Sequence, residues 1–415
     1  MKVIKMKKIL ALLSFLLSLQ SNADSLEVLH WWTESGESEA QAILDASLEK
    51  QNIKWENFAI VGSGGESALR VLQMRALSAN PPDVAQIKGP DIAEWAKMGM
   101  LKEVDSIVDT EGWDEHIPDI VKQTISYQGA YMALPLNIHR VNWLWLNKAI
   151  FDELNLSPPR SWEEFFVVAD KIKQAGYVAL AHGGTNWQDS LLFESVALSL
   201  LGAEKYKQAF VHFDETLLTS DEMIEVFKQF KRLNQYVGEN MRGKDWVVAS
   251  QMISDKKAGM LFMGDWAKGM WHAKGKVPMK DYLCIEVPGT EDIFSYNIDS
   301  FVFFKKINNS FVNDNTHAFA TTILSEAFQR DFNIKKGSMP VRINMDMSPF
   351  DACSQKSYAD FKKSKLVPSF SQNMATSSYL QTEMSKIISY YFKSDDLSAK
   401  QATRQLALTI RAVNK

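Results

Sequence analysis

Pro81-Pro82-Asp83-Val84-Ala85-Gln86-Ile87-Lys88-Gly89-Pro90-Asp91 sets the architecture. Two prolines punctuate, and a short run rich in Val, Ala and Ile reads as a buried strand. Pro90 then stands where a helix begins, ahead of Asp91–Met98. The same unit recurs upstream. Glu27–Trp32 is a strand candidate, and Glu37–Gln51 follows with Ala40, Ile43, Leu44 and Leu48 at helical spacing. Phe58–Val61 is a second strand. Gly62-Ser63-Gly64-Gly65 leads into a helix carrying Ala68, Leu69, Leu72 and Ala76. A β-α repeat of this kind implies a mainly parallel sheet covered by helices. In such sheets ligands bind beyond the carboxyl ends of the strands. The segments to watch are therefore Trp31-Trp32, Gly62–Gly65 and Lys88-Gly89.

Further along, a second unit is expected from about Leu134-Pro135. Trp143-Leu144-Trp145-Leu146 reads as a strand, Lys148–Leu154 as a short helix, and Ser161 as an N-cap with Glu164 completing a capping box. Short strands are predicted at Gly259–Met263, Tyr282–Val287 and Ser300–Phe304, with helices dominating elsewhere. There is no internal repeat or low-complexity linker. Two lobes joined by several chain crossings fit this pattern.

The chain has 415 residues, 46% hydrophobic and 23% charged, so it is too long for one ordinary core and too apolar for disorder. Lys2, Lys5, Lys7 and Lys8 precede an apolar run, and Ser21-Asn22-Ala23 supplies a small-x-small site. Residues 1–23 thus read as a signal peptide cut before Asp24, too short to span a bilayer. Its removal takes four lysines and no acids, leaving 42 basic against 50 acidic residues in an exported species. No basic block points to nucleic acid. In an oxidising compartment Cys284 and Cys353, the only two cysteines, read most simply as one disulfide, with two buried thiols as the alternative.

Catalytic and cofactor motifs do not appear. There is no G-x-S-x-G elbow, H-E-x-x-H helix or C-x-x-C pair, and the seven histidines lack metal-ligand spacing. The Gly62–Gly65 turn is not followed by the Lys-Ser/Thr pair of a phosphate loop. No catalytic residue, metal or cofactor is expected. Lys335-Lys336 and the cluster Lys362, Lys363, Lys365 read as solvated charge. The twelve tryptophans are the positive signal. Trp31 and Trp32 close a strand, while Trp246 and Trp266 follow Gly243-Lys244-Asp245 and Gly264-Asp265 in what read as loops. Flat aromatic faces beside planar polar groups suit a sugar, whose C–H faces stack and whose hydroxyls need both donors and acceptors. For any single Trp, packing is an equal alternative.

Several stretches together resemble the solute-binding proteins of bacterial ABC sugar importers, extracellular solute-binding family 1. They are Asn80–Gly89, Ala133-Leu134-Pro135-Leu136-Asn137-Ile138-His139-Arg140-Val141-Asn142-Trp143, Pro158–Phe165 and Lys257–Trp266. Leu29-His30-Trp31-Trp32-Thr33 is more similar to the glucose/mannose-binding subgroup. The resemblance implies the two-lobe α/β fold of type II periplasmic binding proteins, each lobe a mainly parallel sheet flanked by helices. It places one lobe at 24–135 plus about 295–333, and the other at 136–294 plus about 334–415. A monosaccharide would sit between them and be delivered to permease subunits with a cytoplasmic ATPase. The carrier would be a monomer, with a chemoreceptor as a further partner. Carried over by motif, Trp31, Trp32, Glu37, Gln86, Lys88, Trp246, Trp266, Asp299 and Lys336 would bind the sugar, which reverses the ordinary reading of Lys336. Cys284 and Cys353 match the subgroup's paired positions. One position departs: where a histidine usually precedes Gly-Met-Ala, this chain has Gln372-Asn373-Met374-Ala375. Gln372 can still donate and accept, but cannot protonate. The competing classes are an exported glycoside hydrolase and a sugar sensor for chemotaxis.

Overall fold

A computed structural model describes residues 25–62, 65–110, 112–238, 243–306 and 310–413. The signal peptide expected over residues 1–23, and the centre of the Gly62–Gly65 turn, lie outside the described residues. Among those described, no helix is long and apolar enough to cross a membrane.

Among the described residues twelve strands run in chain order: β1 Leu26–His30, β2 Trp55–Ala59, β3 Val84–Ile87, β4 Ser126–Tyr127, β5 Ala130–Tyr131, β6 Ala133–Arg140, β7 Trp143–Asn147, β8 Val178–Ala181, β9 Ala258–Phe262, β10 Tyr282–Glu286, β11 Ile293–Phe303 and β12 Lys365–Pro368. The first lobe is built on a six-stranded sheet, β12-β11-β3-β1-β2, with β6 on the free flank of β11. Alternation along its strands fills two cores. Leu26, Val28, Val84, Leu134, Leu136, Phe301 and Phe303 go to one face, and Leu29, Ala85, Ile87, Ile138, Ile298 and Val302 to the other. The second lobe surrounds a four-stranded sheet, β10-β7-β9-β8, with a single large core.

Both sheets are mixed: the first is mainly parallel as expected, with three parallel pairings of five, whereas the second has one of three. β1 pairs in parallel with β2 and β3, and β8 with β9, as the β-α repeat predicts. However, β11 enters antiparallel to β3 and β6, and β7 lies antiparallel to β9 and β10. The cause is the crossing topology: β11 returns from the second lobe, so it runs against the strands it joins. The crossover expected near Leu134-Pro135 falls inside β6, which stays in the first sheet to Arg140. The second sheet begins at Trp143, after Val141-Asn142. Pro135 is tolerated because β6 is an edge strand, and it lies where the β6–β11 register slips between Asp299 and Ser300. β4, β5, β6, β8, β12 and the first half of β11 have no counterpart among the predicted strands.

Cys284 on β10 and Cys353 on the helix Ala352–Phe361 form the disulfide. Ser161 caps its helix by accepting from Glu164 N at 3.2 Å. The Glu164 carboxylate reaches back to Arg160 N at 2.7 Å, one residue earlier than the standard box.

Candidate functional site

The strand-end rule locates the site. Trp31 follows β1, Val61-Gly62 follows β2 and Lys88 follows β3, and all four residues line one cleft. The opposite wall comes from the second lobe. Trp246 and Trp266, expected in loops, are the first residues of the helices Trp246–Ser254 and Trp266–Ala273. The loops end in N-caps: Asp245 accepts from Val247 N at 3.1 Å, and Asp265 precedes Trp266. This fixes both rings at the cleft wall, each 8% exposed.

Of the residues singled out in the sequence, Trp31, Glu37, Lys88, Trp246, Trp266, Asp299, Lys336 and Gln372 line this cleft, whereas Trp32 and Gln86 do not. Trp32 is 1% exposed and packs on Phe301 and Phe332 at 5.6 and 5.3 Å. Adjacent strand-end residues point to opposite sides, so only Trp31 can face outward. Gln86 is buried; its Oε1 accepts from Trp31 N at 3.5 Å and its Nε2 has no partner among the described residues. Glu37 and Lys336 meet each other: Lys336 Nζ donates to Glu37 Oε1 at 2.8 Å. The second Glu37 oxygen accepts from the backbone N of Thr33 and Glu34.

Lys88 hangs over the Trp31 ring at 5.3 Å. Burial pulls its ammonium below the usual lysine range, against the attraction of Asp299. Burial alone would raise Asp299, but a hydrogen bond from His139, its charge, and Lys336 and Lys88 together hold the carboxyl well below the ordinary range. Asp299 therefore stays an acceptor.

His139 is the main residue the sequence reading missed. It lies on β6, donates to Asp265, and stands 3.4 Å from Asp299, with the Trp266 ring edge-on at 5.4 Å. Burial would depress its pKa, but the Asp265 and Asp299 carboxylates raise it. Asp265 also accepts from Arg140 N at 2.9 Å, so this acid ties the second lobe to the end of β6. Trp187 and Asn297 line the cleft too. Asn297 Oδ1 is buried and has no hydrogen-bond partner among the described residues. Its place, two residues before Asp299 on one strand face, is a signal that the motif Asn297-Ile298-Asp299 carried in the sequence.

Gln372 is held by its loop. Glu194 accepts from Ser371 N at 2.9 Å, Ser369 Oγ at 2.8 Å and Ser295 Oγ at 2.6 Å. The loop also presses on Gly89, where φ is +50° and an added Cβ would sit 2.1 Å from the Asn373 carbonyl oxygen. Glycine is required there, and it brings Lys88 and Gln372 to one wall.

A family model described as bacterial extracellular solute-binding protein matches residues 31–329. A probable sugar-binding periplasmic protein of Rhizobium meliloti (strain 1021) is 38% identical over 394 residues, 94% of each chain. One of Brucella suis biovar 1 (strain 1330) is 38% identical over 392 residues, 94% of this chain and 92% of its own. Among solved structures, the bacterial solute receptor AcbH aligns with a TM-score of 0.82 at 18% identity, over 95% of this chain and 100% of its own. A chitin oligosaccharide binding protein aligns with a TM-score of 0.82 at 15% identity, over 94% and 99%. At these identities the likeness is one of fold, the two-lobe fold of type II periplasmic binding proteins.

Proposed function

This chain belongs to the bacterial extracellular solute-binding protein family, and from that premise we propose that it is the periplasmic sugar-binding component of an ABC importer. Its ligand site takes a pyranose ring of the glucose/mannose type, a monosaccharide-sized unit, between the two lobes. The observation that carries this reading is the meeting of Trp31, Trp246 and Trp266 with Lys88, Asn297, Asp299 and Gln372 in one cleft. Aromatic planes serve the C–H faces of the ring, and the polar groups serve its hydroxyls. A wrong epimer would leave the buried Asn297 or Asp299 oxygen unpaired, which is where discrimination arises. Glu37 and Lys336, paired with each other, line the same cleft, and Trp32 and Gln86 support that wall from behind. The relatives named above are called probable sugar-binding periplasmic proteins, which favours the same class.

In this reading the two lobes close over the ligand, one built on the six-stranded sheet and the other on the four-stranded sheet. A ligand that contacts both lobes binds the closed form better and shifts the population toward it. The closed form is handed to the permease subunits, and the cleft binds without catalysis. Calorimetry against glucose, mannose and galactose tests this. Stoichiometric binding without turnover is expected. Absence of binding, or new reducing ends after incubation with oligosaccharides, would overturn it. A knockout that left sugar uptake intact while abolishing chemotaxis would reassign the protein to sensing.

A further inference from the structure

Lys88 carries the charge in this cleft that no described residue answers. It is 6% exposed, and its ammonium has neither an ion pair nor a hydrogen bond among the described residues, only the Trp31 ring at 5.3 Å. The carboxylates whose fields reach it are each engaged elsewhere. Asp299 stands 3.4 Å from His139, Glu37 accepts from Lys336 Nζ at 2.8 Å, and Asp91 Oδ1 accepts from Ser378 N at 2.9 Å. Among the described residues, the other cations along the cleft and the chamber that opens beside it are matched. Lys336 has Glu37, His139 has Asp265, Arg70 has Glu66 at 2.6 Å and Lys386 has Glu383 at 2.6 Å. Resting on the sugar reading above, we infer that the ligand is an anionic sugar, a pyranose bearing one carboxylate, and that Lys88 binds that carboxylate.

Three observations carry this. The first is cost. A buried ammonium without a counter-ion is unfavourable, and burial already pulls that of Lys88 below the usual lysine range. A sugar hydroxyl would accept a hydrogen bond from it but leave the charge unanswered once the lobes close. A carboxylate supplies both the acceptor and the charge.

The second is a matched pair of donors. Gln372 is 7% exposed, lines the same cleft and chamber as Lys88, and its amide has no hydrogen-bond partner among the described residues. The close approach of Gly89 to Asn373 holds both side chains to one wall. A carboxylate accepts through two oxygens, one for the ammonium and one for the amide N–H.

The third is the direction and number of charges. Glu34 and Asp245 line the cleft but not the chamber, and neither has a cationic partner among the described residues. Burial, with the charges of Asp245 and Glu37, raises the Glu34 carboxyl. These acids repel an anion from their side, so the carboxylate turns toward Lys88 and the chamber. One unmatched ammonium balances a monoanion, whereas a phosphate ester would bring about −1.5 to −2 charges.

Calorimetry on the intact protein tests this, with glucose, mannose and galactose against glucuronate, mannuronate and galacturonate, and with glucose 6-phosphate as the phosphate probe. At least one uronate should bind about tenfold or more tighter than its parent hexose. Lys88→Met removes the charge and keeps an unbranched chain, and should bring that pair to within about threefold of each other. Its ligand-free melting temperature should not fall, because a buried charge is relieved. If hexoses bind and every uronate is equal or weaker in the wild type, the inference is overturned alone, whatever the variant does. If Lys88→Met weakens a hexose and its uronate by the same factor, the lysine serves hydroxyls only and the inference is overturned as well. Glucose 6-phosphate binding tighter than every uronate would overturn the carboxylate. If no sugar binds, neutral or acidic, the inference falls together with the reading on which it rests.

Discussion

Lys336 Nζ donates to Glu37 Oε1 at 2.8 Å, joining residues 299 positions apart. The lysine ends the helix Glu326–Lys336, and the glutamate lies in the first turn of the helix Ser35–Lys50. Each charge thus complements its own helix dipole as well as its partner. Both side chains are largely buried, and the Lys336 ammonium lies 5.8 Å from the Trp32 ring. The pair clamps the strand end that presents Trp31.

Removing one partner leaves a buried charge alone, which costs about 3–5 kcal/mol. Lys336→Met should therefore lower unfolding stability by that order in urea titration. The double variant Lys336→Met with Glu37→Leu should recover most of the loss. Saccharide affinity should stay reduced in both, because Lys336 is lost from the cleft wall and, in the double variant, Glu37 no longer holds Thr33 and Glu34. Full recovery of affinity in the double variant would show that the pair is structural only.

The two kinds of tryptophan should separate in mutagenesis. Trp32→Ala removes a fully buried ring from between Phe301 and Phe332, so a loss of about 3–5 kcal/mol in stability is expected. Trp266→Ala should cost less stability but weaken saccharide binding by about tenfold or more, read by calorimetry. If Trp266→Ala bound every tested sugar as the wild type does, its ring would not be a ligand face.

Much of this was legible in the sequence. The β-α repeat from Glu27 to Met98 predicted β1, β2 and β3, and through the strand-end rule it predicted Trp31 and Lys88 at the cleft. The failures have physical causes. The first half of β11 holds Ser295, Asn297 and Asp299, polar residues whose burial is offset by partners such as Glu194 and Asn137, so hydropathy does not mark it as a strand. β12 is four residues containing Lys365 and Pro368, which no pattern separates from a loop. His139 acquires its role from Asp265, 126 residues away, a pairing that depends on the crossing topology. The resemblance carries Trp32 over to the ligand together with Trp31, but the period-two alternation of the strand turns it into the core.

A pH dependence follows from His30. Its Nδ1 accepts from Trp32 N at 3.2 Å and its Nε2 donates to Asn57 Oδ1 at 2.7 Å, which is a neutral tautomer. Burial lowers its pKa from 6.5 to about 4. Between those values the unfolded chain binds the proton and the folded one does not, so stability falls as pH drops from 6.5 toward 4. His139, whose pKa is raised, contributes stability that is complete below 6.5 and lost only at higher pH, so it adds no slope in this window. Melting temperatures of His30→Gln should show a shallower slope than the wild type from pH 6.5 to 4.5. Parallel slopes would remove His30 from the account.

The disulfide ties β10 to the helix Ala352–Phe361 with a sequence separation of 69. Closing a loop of that length is worth about 4 kcal/mol on the chain-entropy model. Cys284→Ser with Cys353→Ser should lower stability by about 2–4 kcal/mol in denaturant. Neither cysteine lines the cleft, so saccharide affinity should hold.

Gly89 offers the sharpest test of how the cleft wall is assembled. Its φ of +50° is one that side chains rarely adopt, and its Cα faces the Asn373 carbonyl so closely that a methyl cannot fit. Gly89→Ala must push the loop carrying Gln372 away from Lys88. Gly99 is the control: its φ is +73°, yet an added Cβ there meets nothing within 4 Å. Gly99→Ala should cost only the left-handed strain, about 1–2 kcal/mol, and leave binding intact. Gly89→Ala should cost more than that and also lower saccharide affinity by about tenfold. If both variants lost the same stability and neither lost affinity, the contact between Gly89 and Asn373 would not be what holds Lys88 and Gln372 on one wall.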